Sequence, residues 1–335
     1  MKKIFIVGSE SEFGMERSYK IALEKLQYEV EIIDFSAMVI SYFPLKFLKK
    51  IGIYFEFHPA VVKANHFISK KVFKEKPFAI IVFTHVKIFP GSLEYFRSIC
   101  KNVCFYWPDS IVNMTSTIFS NLKHYDNVYA HSNENVRIFE RNGIPSKWLP
   151  FAGDTEFTKN YNAFESKNKE YDFSFIGAFR PERFEAINAL LKNFVNSKFL
   201  LIGLGWEKQN FINQKNLVIL NKMVTINEFL EQTAKSRISL NAIDHLNYPS
   251  SNLRFFEIGL SGVPQISTVV PEFEDIFKNR QNVFYYNNLE ELVDQANWIL
   301  SNYTKALSCA AEFRKLLDSN NNYISRAQLL VSEFK

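Results

Sequence analysis

The feature that most constrains the fold is an alternation. Short apolar runs, each closed by glycine or a polar residue, take turns with longer stretches whose apolar residues recur at helical spacing. Ile4–Val7, Glu29–Ile33, Phe78–Phe83, Val103–Trp107 and Asn127–Ala130 read as strands. Arg17–Leu26 and Glu134–Asn142 read as helices, the second stopped by Gly143 with Pro145 just beyond. Strands that are apolar throughout belong to parallel sheets, because helices cover both faces. The polar, period-free stretch Lys159–Lys169 then interrupts the pattern and reads as a linker.

After it the alternation restarts. Asp172–Ile176, Lys198–Ile202, Val218–Leu220, Ile238–Ala242, Pro264–Ser267 and Val283–Tyr285 read as strands, and Glu182–Phe194, Thr225–Lys235 and Leu253–Leu260 as helices, with a helical tail from Leu289. The expected architecture is α/β: two doubly wound, Rossmann-like domains facing a cleft, over residues 1–158 and 171–301. Ligands of such sheets bind at the carboxyl ends of the strands, so residues that follow strands take priority.

The 335 residues are about two domains' worth at ~100–200 each. With 47% hydrophobic residues they can bury real cores, which excludes a disordered, collagen-like or disulfide-scaffold chain. The net charge of +5 falls short of a dedicated DNA-binding protein, and no nucleic-acid module is recognisable, so no nucleic-acid partner is expected. Cys100, Cys104 and Cys309 fit neither a zinc nor a disulfide pattern. The apolar run after Met1-Lys2-Lys3 is too short for a signal peptide and reads as the first strand. The longest internal apolar run, Phe78–Phe83, is six residues against the ~20 that span a bilayer. A cytoplasmic location is expected.

The segment richest in chemistry runs from Tyr248 to Pro264. A strand feeds a polar loop in which Ser250, Ser251 or Asn252 can cap a helix, and the free amides of a helix start bind anions such as a diphosphate. Arg254 lies in the first turn and can add a charge-assisted contact. Glu257, on the same face, can accept from a ribose diol; an i,i+3 surface ion pair between the two is the plainer alternative. Gly177, Ala178, Arg180 and Arg183 follow the second domain's first strand, where arginine can neutralise a leaving diphosphate. Gly203-Leu-Gly205 is a weaker phosphate-loop signal.

Asn252, Arg254, Phe256, Glu257, Gly259, Gly262 and Pro264 together resemble the donor-binding motif of GT-B-fold glycosyltransferases, in particular the group similar to the spore-maturation CgeB proteins. The resemblance continues through Asp172–Gly177 with Arg180 and Arg183, Pro271-Glu-Phe, Glu290-Glu291-Leu292, Trp107-Pro-Asp109 and Leu149–Asp154, covering roughly residues 80 to 300. It implies a nucleoside-diphosphate sugar donor on the second domain, an acceptor on the first, and helices from Asn302 to Lys335 that pack back on the first domain. It also implies no cofactor other than the donor substrate. One departure is clear. Many retaining members carry a sugar-contacting glutamate eight residues before the ribose-binding one, and here that position is Pro249.

An inverting transferase needs a general base. Asp109 and His85, each at a strand end, rank first; His131 and the Gly8–Gly14 loop with Glu10 and Glu12 follow. No Asp-x-Asp triplet occurs, which favours leaving-group stabilisation by helix amides and arginine over a metal. Met38–Lys76 carries eight lysines against two glutamates, interleaved with aromatics, a composition suited to an anionic membrane surface beside a lipid-linked acceptor of bacterial surface glycans. Two rival readings share the architecture: a nucleotide-sugar epimerase, and a non-catalytic nucleotide-sugar-binding partner.

Overall fold

The computed structural model describes residues 1–11, 14–42, 58–83, 87–158, 169–212 and 215–335. The chain divides into two compact units, Met1–Pro150 with Tyr323–Lys335, and Phe151–Asn322.

The first unit is built on six parallel strands: β1 (Lys3–Gly8), β2 (Glu29–Asp34), β3 (Ala79–Val82), β4 (Val103–Trp107), β5 (Asn127–Ala130) and β6 (Ser146–Trp148), in the order β2-β1-β3-β4-β5-β6. Every residue of β3 and β4 is buried, as strands covered on both faces require. On one face Phe5, Val7, Ile80, Val82 and Phe105 pack under α2 (Phe35–Ser41), α3 (Pro59–Glu75) and α4 (Pro90–Ile99). On the other, Tyr19 of α1 (Met15–Lys25) tilts against Phe83 and Tyr106 and meets Tyr323 edge-on. The strand order reverses between β1 and β3, so the loops after Gly8 and Val82 hold this sheet's switch point.

The second unit also has six parallel strands. They are β7 (Tyr171–Ile176), β8 (Phe199–Ile202), β9 (Leu217–Leu220), β10 (Ser236–Asn241), β11 (Gln265–Thr268) and β12 (Phe284–Tyr286), in the order β12-β11-β10-β7-β8-β9. The reversal lies between β7 and β10, and ligands of such sheets bind outside the carboxyl ends of those two strands. Two doubly wound parallel sheets are what the alternation predicts.

The unit boundaries differ from the sequence expectation. Residues 151–158 belong to the second unit, because Gly153 donates its amide to the Asn321 carbonyl at 2.8 Å and its missing side chain leaves room for Leu260. The long helix Tyr303–Asn320 also lies in the second unit rather than on the first. Its Phe313 and Leu317 occupy the space over Gly259, where a Cβ would sit 2.7 Å from the Phe313 ring, and Phe313 packs edge-on against Phe255. Only the chain from Tyr323 returns to the first unit. There Tyr323–Ser332 packs on α1, and the buried Arg326 donates to the Pro150 carbonyl at 3.2 Å. The edge strand Ser146–Trp148, short and polar, has no counterpart in the sequence reading.

Candidate functional site

At the carboxyl end of β7 the chain is pulled tight. Gly203, at φ +150°, lies against Gly177 so closely that a Cβ would stand 2.0 Å from the Gly177 oxygen, and Trp206 donates its indole N–H to that same oxygen at 2.7 Å. Gly203 thus serves backbone packing at the strand ends, a role its reading as part of a phosphate loop does not require.

Arg180 then caps the helix α8 (Pro181–Asn193) with its side chain exposed and Nη1 near its neighbour's Phe179 carbonyl at 3.3 Å. Glu182 occupies the first turn. Its own backbone N–H and the His245 side chain hold its carboxyl below the usual range, so an anion already fills the positive end of this helix. Arg183, expected on a diphosphate, is a clamp: Nη2 to Asp244 Oδ2 at 2.8 Å, Nη1 to the Ala178 carbonyl at 2.8 Å and Nε to the Ala242 carbonyl at 3.3 Å. It ties the loop after β7 to the loop after β10.

The helix α10 (Leu253–Ser261) opens the other side of the switch point. Of the three cap candidates it is Asn252 that accepts from the Phe255 amide, at 3.0 Å, while its Nδ2 donates to Asn241 Oδ1 at 3.0 Å. The cap is therefore anchored to the last residue of β10. Ser251 is fully buried, and its Oγ has no hydrogen-bond partner among the described residues. No acidic residue lies in the first turn, unlike α8, so this helix start keeps its affinity for anions. Gly262, left-handed at φ +70°, ends the helix ahead of Pro264.

Arg254 and Glu257 form the ion pair that the spacing allows, Nη1 to Oε2 at 2.5 Å, with the guanidinium 4.2 Å over the Phe229 ring. The pair uses one of several guanidinium donors and one of two carboxylate oxygens, so both groups retain capacity for a ligand. Asn252, Ser251, Arg254, Glu257, Arg180, Gly177 and Arg183 all belong to the loops and helix starts that follow β7 and β10.

In the first unit Asp109 follows β4 and accepts from the Ser110 amide at 2.6 Å and from Asn113 Nδ2 at 2.9 Å. His131 is 2% exposed, and burial pushes its imidazole down to about 4, partly offset by its hydrogen bond to the Trp107 carbonyl and by the charge of Asp109. His131 is therefore neutral and enclosed at physiological pH. His85 and Glu12 lie outside the described residues, and Glu10 donates its amide to Asp34 Oδ2 at 3.0 Å.

Three residues escape the sequence reading. Glu16, 6% exposed, accepts from the Ser9 amide at 2.8 Å, and its carboxylate fills the space beside Gly8 and Gly14, where Cβ atoms would lie 2.4 and 2.7 Å from it. The two glycines bracketing the loop were its only signal. His245, exposed, sets Nδ1 2.5 Å from Glu182 Oε1. Nothing local links that pair, since the partners are 63 residues apart. Among the described residues no three His, Cys, Asp or Glu side chains gather as a metal site, and no helix is long and apolar enough to cross a membrane.

Residues 180–332 match the family described as glycosyl transferase-like. No curated protein sequence matches the chain significantly. Similar solved structures include a glycosyltransferase from Rickettsia africae (TM-score 0.69, 15% identity, 100% of this chain and 98% of that one covered). An alpha-glucosyltransferase in complex with UDP and a 13-mer DNA superposes at TM-score 0.67 with 12% identity, over 99% of this chain and 100% of that one. Anabaena HepE in complex with UDP superposes at 0.61 with 13% identity, over 99% of each chain. The fold is that of the GT-B glycosyltransferases.

Proposed function

We propose that the chain is a glycosyltransferase of GT-B type that moves a sugar from a nucleoside-diphosphate donor held by the second unit to a glycan or lipid-linked acceptor held by the first, a reading supported by the family match over residues 180–332 and by the fold. One observation carries the donor assignment. At the switch point between β7 and β10, a helix start free of acidic residues is fixed by Asn252 and followed by Arg254 and Glu257 on one face. The diphosphate sits on the amides of this helix start, with the buried Ser251 hydroxyl as a donor in need of a partner. Arg254 adds its remaining N–H groups, and Arg180, which makes no ion pair among the described residues, lies across from it after β7. The second oxygen of Glu257 accepts from the ribose diol. UDP in solved relatives of the fold supports a uridine donor.

Charge grows on the diphosphate as the glycosidic bond breaks, and fixed amides and guanidinium groups stabilise it without reorganising; no metal ion is needed in this scheme. Asp109 is the base we assign to the acceptor hydroxyl, with His85 as the second candidate. The exposed face of α3, carrying Lys63, Lys70 and Lys74 beside Val62, Phe67 and Phe73, suits an anionic membrane surface near a lipid-linked acceptor of surface-glycan assembly. Of the wider basic stretch Met38–Lys76, residues 43–57 lie outside the described residues.

Glu257→Ala and Arg254→Ala are each expected to cut sugar transfer from a UDP-sugar at least about 100-fold, as lost donor contacts. Wild-type rates in both variants would remove the assignment.

A further inference from the structure

We propose that His245, oriented by Glu182, binds the outer phosphate of the donor's diphosphate. The proposal rests on the donor reading above and adds a residue that neither the motif nor the family match singles out.

Of the cations at this edge, Arg183 is committed to Asp244 and two carbonyls, while Arg254 keeps part of its donor set beside Glu257. His245 is different: its side chain is 74% exposed and among the described residues only its Nδ1 is engaged. Glu182 is ionised and so can only accept, which places a proton on Nδ1 and leaves Nε2 as the atom the ring presents outward. The ring is well supported. Glu182 is fixed in the first turn of α8, and Asp244, the residue before His245, is bolted to Arg183. The ring thus stands on the loop after β10 and is held by the helix after β7, astride the switch point.

Position along the helix names the ligand atom. From Glu257 to the cap Asn252 is five residues, or about 7.5 Å of helix axis, the order of the distance from a ribose to its diphosphate. A nucleotide with its ribose at Glu257 therefore delivers its phosphates to the helix start and its outer phosphate to the loop beyond, where His245 stands. With a proton taken from solvent on Nε2, the ring lies between the Glu182 carboxylate and a phosphate oxygen and donates to both.

The test is titration calorimetry of UDP and UMP against the full chain and three variants. For His245→Ala the expected result is UDP bound at least about tenfold more weakly, with UMP changed less than about twofold, because only UDP reaches the ring. Glu182→Gln keeps the imidazole but loses the anion behind it, and should weaken UDP at least about threefold, again sparing UMP. Wild-type UDP affinity in His245→Ala, or equal losses for UDP and UMP, would overturn the proposal. Glu257→Ala separates this from the donor reading: it should weaken both nucleotides, and if it weakens neither, the ribose assignment fails whatever His245 does. If thermal unfolding shows His245→Ala misfolded, His245→Gln, which keeps the side-chain bulk, takes its place with the same two expectations.

Discussion

His131 shows how far the environment of a single residue decides its chemistry. It follows a strand, where a catalytic base is sought, yet burial holds the imidazole at about 4, below the ordinary 6.5. A histidine depressed in the folded chain stabilises it fully above the unfolded value, and that stability is lost as pH falls from about 6.5 toward 4. The shift corresponds to about 3 kcal/mol at most. In a proton NMR titration the His131 ring should therefore stay neutral at pH 5.5, when an exposed histidine is mostly charged. A ring that titrates near 6.5 would show that it is not enclosed. The sequence could rank His131 among strand-end candidates, but not its enclosure, because that depends on how the chain packs around it.

At the scale of the element, α10 was the most legible piece of the candidate site. Its cap, its glycine stop and the positions of Arg254 and Glu257 are local properties, and the structure reproduces them with Leu253–Ser261 between Asn252 and Gly262. The neighbouring helix start was less legible. Arg183 reads from the sequence as a phosphate ligand, and its clamp to Asp244 was not legible, because the partners are 61 residues apart and no local pattern joins them. The cap offers a separation of stability from binding. Asn252→Asp keeps an oxygen for the Phe255 amide, and Asp caps about as well as Asn, so the cost is the lost Nδ2 bond to Asn241, about 1 kcal/mol or a few degrees of melting temperature. The new charge faces the proposed diphosphate, however, and UDP affinity should drop at least about tenfold by calorimetry. Unchanged affinity would mean that no phosphate lies at this helix start.

For the whole molecule, the alternation of apolar runs was enough to read two doubly wound sheets, because fully apolar strands demand cover on both faces. The strand orders were not legible, since β10 pairs with β7 at residues far apart in the chain, Ser236 opposite Tyr171. Nor was the tail: the small surface of Gly259 draws Phe313 and Leu317 into the second unit, and only the chain from Tyr323 returns to the first. The exposed lysines and phenylalanines of α3 add a property of the protein as a body. It should sediment with vesicles containing anionic lipid at low salt and be released as screening rises, and Lys63, Lys70 and Lys74 changed together to glutamate should abolish binding. Protein remaining in the supernatant at low salt would remove the membrane reading. The central claim, that a sugar nucleotide is held by the start of α10, is tested most directly by a crystal structure of the chain with UDP. The account predicts phosphate oxygens on the amides that follow Ser251 and the ribose hydroxyls on the Glu257 carboxylate. Nucleotide bound elsewhere, with those amides and that carboxylate untouched, would contradict it.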